Sequence, residues 1–276
     1  MLWPMSRALL LAALAPALAI AQPAARPDAA QRAPEETGAL AAPSPQLASL
    51  IAEIDAAYAR RDEPAQLATH RARLAEAEKL APNDYAVLWR LARLNFWLAD
   101  DPKLSGKEKS RLGRAGWDYG DRATAANPKG VEGWYFAAGG VGNYALGIGV
   151  ITALRQGIEG KFKDRLSHAE SLDPSFLNGA VQGAWGRFWY ELPWPKYDAR
   201  KSKRSLDAAL AKNPNNVRVH VYLAELHLKE ERYDGWRTEL EKALAAPPGR
   251  YDAPEERRWQ EVAKRMLADP PVEANR

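Results

Sequence analysis

The chain has no cysteine in its 276 residues. No disulfide can form, and thiol catalysis and cysteine-ligated metal sites are excluded. No N-terminal cysteine is available for lipid attachment, so no lipoprotein is expected. Histidine is scarce, with four residues. His70 and His168 stand alone, and His220 and His227 share a helix face without a third ligand at metal spacing. No HExxH and no Ser/His/Asp order is visible. Adjacent carboxylates such as Glu255-Glu256 sit in solvated charge runs. Gly147-x-Gly149 follows no strand, and Thr152 stands where a nucleotide-binding loop needs its third glycine. The expectation is no catalytic site, no metal and no cofactor.

Long apolar runs are also missing. Arg7 precedes an uncharged run, Ala8 to Ala21, that falls short of the roughly 20 residues a spanning helix needs. It ends in the small-x-small sequence Ala19-Ile20-Ala21, with Gln22 as the new N-terminus. This layout predicts a secretory signal peptide over 1–21 and an exported protein, periplasmic or extracellular; an uncleaved anchor is the alternative. Residues 22–45 are rich in alanine and proline, and Pro23, Pro27, Pro34, Pro43 and Pro45 block a continuous helix. They read as a disordered spacer. The folded part is expected over 46–268, with a short tail over 269–276.

The formal net charge is +4, with acids and bases interspersed. One dense basic patch, Lys196, Arg200, Lys201, Lys203 and Arg204, has the composition of a nucleic-acid face. A solvated helix face is the better reading, because an exported protein rarely meets nucleic acid; no nucleic-acid partner is expected.

What the chain does have is a beat. An alanine recurs with a proline five residues on: Ala77/Pro82, Ala123/Pro128, Ala169/Pro174, Ala209/Pro214 and Ala243/Pro248. Leu74, Gly120, Leu166, Leu206 and Leu240 stand three residues before the alanines. Successive prolines are 46, 46, 40 and 34 residues apart. A small side chain lets a helix approach its neighbours, and the proline ends it because it has no amide proton to donate. The last unit is cleanest. Asn215 and Asn216 can cap a helix carrying Val217, Val221, Leu223, Ala224 and Leu228. A polar turn, Glu230 to Arg232, leads to Tyr233, Trp236, Leu240, Ala243 and Leu244. Two such helices make an antiparallel hairpin. The other units follow: Pro45–Arg61 with Pro64–Leu80; Asp84–Leu98 with a helix to Ala126; a helix from Val131 with one ending at Leu172; Ser175–Glu191 with one ending at Ala211. Ala253–Leu267 is expected to cap the end.

This spacing resembles the tetratricopeptide repeat, a helix-turn-helix unit of about 34 residues ending in a proline. Leu91-Ala92 and Leu223-Ala224 match its large-small pair and Trp134 its aromatic. The resemblance implies an all-α, right-handed array of about five hairpins, with inserted helices in the longer units. A narrower resemblance begins at Gly133. The order Gly133-Trp-Tyr-Phe-Ala-Ala-Gly-Gly140, Leu172-Asp-Pro174, Gly179, Gly183, Arg187-Phe-Trp-Tyr190 and Leu192-Pro-Trp-Pro195 looks like the T component of TRAP transporters (TatT-like). That implies a periplasmic protein partnering a solute-binding protein. Known members are often lipoproteins, and the missing cysteine departs from them.

The uncharged run Gly133 to Leu154 is long enough to span a membrane. Its glycines, Gly139, Gly140, Gly142, Gly147 and Gly149 among them, lower helicity and hydropathy. Two short buried helices packed around Asn143-Tyr144 are expected instead, with no stable membrane span, and a small-residue wall of this kind can line a cavity. A pocket for a small organic ligand is expected from Trp134, Tyr135, Asn143, Tyr144, Asn178, Gln182, Trp185, Arg187, Trp189 and Tyr190, which mix aromatic faces with amides and one guanidinium. Asn178, Gln182 and Trp185 are placed on one helix face. Arg187 either binds a carboxylate bidentately or pairs with a helix acid. The tryptophans otherwise read as inter-helix core. The sequence therefore points to a binding protein with a protein partner, and to no enzyme. The rival reading is a general scaffold or assembly factor of the cell envelope without an internal cavity.

Overall fold

A computed structural model describes residues 44–271, which form twelve α-helices and one 3-10 turn and no strand. The expected signal peptide, most of the spacer and the end of the tail lie outside the described residues. Helices α1 (Pro45–Tyr58) and α2 (Pro64–Leu80) make the first hairpin, α3 (Tyr85–Ala99) and α4 (Gly106–Ala126) the second. The third comprises α5 (Val131–Ile148), a short inserted α6 (Val150–Arg155) and α7 (Ile158–Leu172). A 3-10 turn (Phe176–Asn178) precedes α8 (Ala180–Glu191) and α9 (Ala199–Lys212) of the fourth. Helices α10 (Val217–Lys229) and α11 (Tyr233–Ala245) form the fifth, and α12 (Ala253–Ala268) follows.

The alanine-proline beat has a direct structural cause. All five alanines are fully buried. In the first four units the alanine carbonyl accepts the last helical N–H: Ala81 to Ala77 at 2.8 Å, Asn127 to Ala123 at 2.9 Å, and Asp173 to Ala169 and Asn213 to Ala209 at 3.0 Å. The proline then follows. The residue before it leaves the helical region, with φ near −144° at Ala81 and −145° at Asn127, because the proline ring crowds helical backbone there. Asn216 caps α10 through Val219 N at 3.1 Å, and Asp84, Ser105, Asp198 and Asp252 cap α3, α4, α9 and α12 in the same way.

The uncharged run departs from expectation. Asn143 and Tyr144 do not sit between two short helices; they lie inside the single 18-residue helix α5, which ends only at Gly149, φ 88°. Tertiary packing overrides the low helix propensity of glycine, because the glycines bring α5 against α4. A Cβ on Gly140 would lie 2.3 Å from the Trp117 amide nitrogen, and one on Gly113 2.3 Å from that of Tyr144. Gly120 faces Ala137 less tightly, at 2.6 Å from its Cα.

The ends of the array meet. Arg61, after α1, pairs with Asp252 before α12 at 2.7 Å. Arg257 pairs with Asp62 at 2.7 Å, and Arg258 donates to the Trp97 carbonyl at 2.7 Å with its guanidinium over the Trp97 ring. Helix α12 therefore covers the fifth hairpin, where Trp259, Val262 and Ala263 pack with Trp236 and Leu240, and also closes back on the first two. No described helix is long and apolar enough to cross a membrane.

Candidate functional site

Closure leaves a cavity of about 690 Å³ at the centre of the array, within the range of small-molecule sites. The first helix of every hairpin reaches it: Tyr58 from α1, Trp89, Arg93 and Phe96 from α3, Tyr135 to Leu146 from α5, Arg187 from α8, and Arg218 and Tyr222 from α10. Glu255 and Trp259 of α12 complete the wall.

The wall has two characters. Helices α5, α6 and α7 present Val141, Gly142, Ala153, Leu154, Ile158 and Phe162, an apolar side with Leu146 toward solvent. The opposite side carries a polar chain. Arg218 donates to Asp100 at 2.7 Å, to Glu255 at 2.9 Å and to the Tyr222 hydroxyl at 3.3 Å. Burial opposes its charge, yet Asp100 and Glu255 hold the guanidinium well above its ordinary value. Arg187 is held alike: burial opposes charge, and Glu225 and Glu191 (2.5 Å) raise it. Arg93 lies over the Tyr58 ring at 3.7 Å and pairs with Asp55 at 2.7 Å, while its Nε has no hydrogen-bond partner. Burial pulls Arg93 and Lys109 below their ordinary values. The Tyr135 hydroxyl is pushed up by burial, so it is a neutral donor at physiological pH.

Of the residues singled out from the sequence, Tyr135, Asn143, Asn178 and Arg187 line this cavity. The other six lie elsewhere. Trp134 stacks on His168, centroids 4.2 Å apart, and donates to the Pro128 carbonyl at 2.9 Å. Tyr144 packs edge-on to Trp117. Trp185 donates to Glu170 at 2.9 Å and meets Phe162 and Phe188. Gln182 has its Oε1 buried without a partner. Trp189 carries Lys201 over its ring, and Tyr190 carries Lys229.

The shared face expected for Asn178, Gln182 and Trp185 does not exist. Leu177, Asn178 and Gly179 have φ of 46°, 54° and 95°. That left-handed run ends the 3-10 turn, and α8 starts only at Ala180. Arg187 takes the second of its two readings, pairing with Glu191 and Glu225.

Sequence reasoning missed Arg93, Arg218, Asp100, Tyr222 and Trp259. A signal was present. Arg93, Arg187 and Arg218 each interrupt the apolar stretch of a first helix, Leu91-Ala-Arg-Leu94, Trp185-Gly-Arg-Phe188 and Val217-Arg-Val219. Burying an arginine there is costly without a partner, so each announces carboxylates on a facing element.

No protein-family model and no curated protein matches the chain. The structure is similar to that of a thermophilic tetratricopeptide-repeat protein from Thermus thermophilus, with a TM-score of 0.61 and 19% identity over 80% of this chain and 99% of that one. The fold is a TPR-like helical-repeat array.

Proposed function

We propose that the chain is an exported helical-repeat binding protein that holds a small organic ligand in its central cavity and works beside a protein partner. The observation that carries this reading is the cavity itself: a half-open pocket of about 690 Å³, lined from all five hairpins and bordered by α12. A scaffold that gripped an extended peptide has no need of so deep an apolar pocket, and the general envelope scaffold is the second reading. The partner best matching the sequence resemblance is a periplasmic solute-binding protein of a TRAP-type transporter. No chemical step is assigned.

Native mass spectrometry of the protein purified from cell envelopes tests the ligand. A discrete mass increment, lost on denaturation, is expected, together with a mature chain starting at Gln22. Affinity capture with the same protein is expected to retain a solute-binding protein. A chain free of any increment, and retention of envelope-assembly factors instead, would return the reading to the scaffold.

A further inference from the structure

We infer that the cavity is selective for an organic cation, an ammonium group on an aromatic or aliphatic body. This rests on the reading of the cavity as a ligand site. Eight carboxylates and only four cationic side chains line it. Cations outside the wall shield two of the acids, Lys196 at Glu159 and Arg61 at Asp252, while Asp55 offsets Arg93. The balance left is still negative.

The arrangement of the two half-buried arginines sharpens this. Arg187 sits between Glu191 and Glu225, and Arg218 between Asp100 and Glu255. Counted by its direct ion pairs, each cluster carries one negative charge in excess, with Lys229 near Glu191, and Lys109 and Arg258 near Asp100, as the next cations. A ligand carboxylate would be the third on a guanidinium that already holds two, in a site where water screens poorly. An ammonium group meets spare carboxylate lone pairs instead. It also meets aromatic rings that carry no protein cation. Arg218 covers Phe96 and Trp259, and Arg187 covers Tyr222, but among the described residues no arginine or lysine lies over Tyr135, Phe136 or Phe176. These three rings pack together, Tyr135 and Phe176 at 5.2 Å between centroids, and such faces attract cations.

Three probes of one shape test the charge: phenethylammonium, the neutral phenethyl alcohol and the anionic hydrocinnamate, titrated calorimetrically into the full chain after ligand is stripped by unfolding and refolding. Phenethylammonium is expected to bind at least about ten-fold tighter than either of the others. Glu225→Gln should weaken it about ten-fold, with Arg187 still paired to Glu191. Glu132→Gln is the second variant, because its carboxylate accepts from the neutral Tyr85 hydroxyl at 2.6 Å and its loss leaves no cation stranded; it should weaken phenethylammonium and leave the alcohol unchanged. Equal or tighter binding of the alcohol or of hydrocinnamate overturns the cation assignment and leaves the cavity reading standing. Binding of none of the three overturns both.

Discussion

Arg61 Nη2 donates to both carboxylate oxygens of Asp252 at 2.7 Å, joining the turn after the first helix to the residue that caps the last. Arg61 is only 2% exposed and its Nε has no partner, whereas Asp252 is 39% exposed. Asp252→Ala leaves a buried guanidinium unpaired and removes a helix cap. Solvent at the aspartate trims the loss, so about 1–3 kcal/mol is expected in urea unfolding. Hydrogen exchange should rise at 97–101 and 253–258, where the two ends meet. Arg60→Ala, which breaks only the exposed pair to Glu63, should leave the unfolding midpoint unchanged.

The crossing of α4 and α5 reverses the usual sign of a glycine substitution. Glycine to alanine within a helix ordinarily stabilises by about 1 kcal/mol. At Gly140 the new Cβ meets the backbone of Gly116 and Trp117, which cannot swing aside as a side chain can. Gly140→Ala is therefore expected to destabilise by about 2 kcal/mol or more. Gly160 of α7 has nothing within 4 Å of its added Cβ, so Gly160→Ala should stabilise by about 0.5–1 kcal/mol. Thermal unfolding of the two variants decides this; a stabilised Gly140→Ala would mean that the helices stand further apart.

His70 makes the fold acid-sensitive. It is fully buried and its Nδ1–H donates to the Ile54 carbonyl at 2.9 Å. Burial lowers it from 6.5 to about 4, outweighing that hydrogen bond. Between those values the unfolded chain binds a proton that the folded chain does not. Stability is complete above pH 6.5 and falls as pH drops toward 4, at up to about 1.4 kcal/mol per pH unit. Glu239 extends the loss. Burial raises it, but His220 and Lys242 overcome burial and hold it near 2 against an ordinary 4.5, so its contribution fades from pH 4.5 down to 2. Denaturant titrations of His70→Leu should decline less steeply than the parent between pH 6.5 and 5, the remaining slope belonging to His227, which burial also lowers, and still decline below 4.5.

The repeat was legible because its cause is local. Ala77 and Pro82 determine one helix end with no reference to anything distant, and each later unit repeats that logic. Closure was not legible. Arg61 meets Asp252 only because small rotations add up over five hairpins, and no single unit encodes their sum. The site divides the same way. Tyr135 and Arg187 drew notice as an aromatic and a charge in an apolar stretch, and both reach the cavity. Trp134 drew notice as the aromatic of the repeat and Trp185 for a helix face shared with Asn178 and Gln182, and they serve packing around His168 and Phe188. Gly140 was visible as a small residue, but its partner across the crossing depends on its geometry.

The Arg187 cluster distinguishes a structural ion pair from a net source of stability. Arg187→Leu strands Glu191 and Glu225 side by side in a half-buried site, where the solvent that reaches all three side chains trims the loss, and should cost about 1–3 kcal/mol. The triple variant with Glu191→Leu and Glu225→Leu removes the whole cluster, and apolar replacement of a complete buried group is often neutral. It should recover most of that loss in unfolding assays. If the cavity takes a cation, the triple variant should at the same time lose affinity for phenethylammonium. A variant that is stable yet unable to bind would show that the cluster is kept for recognition. Full binding in the triple variant would assign the charge selectivity to the other cluster, around Arg218.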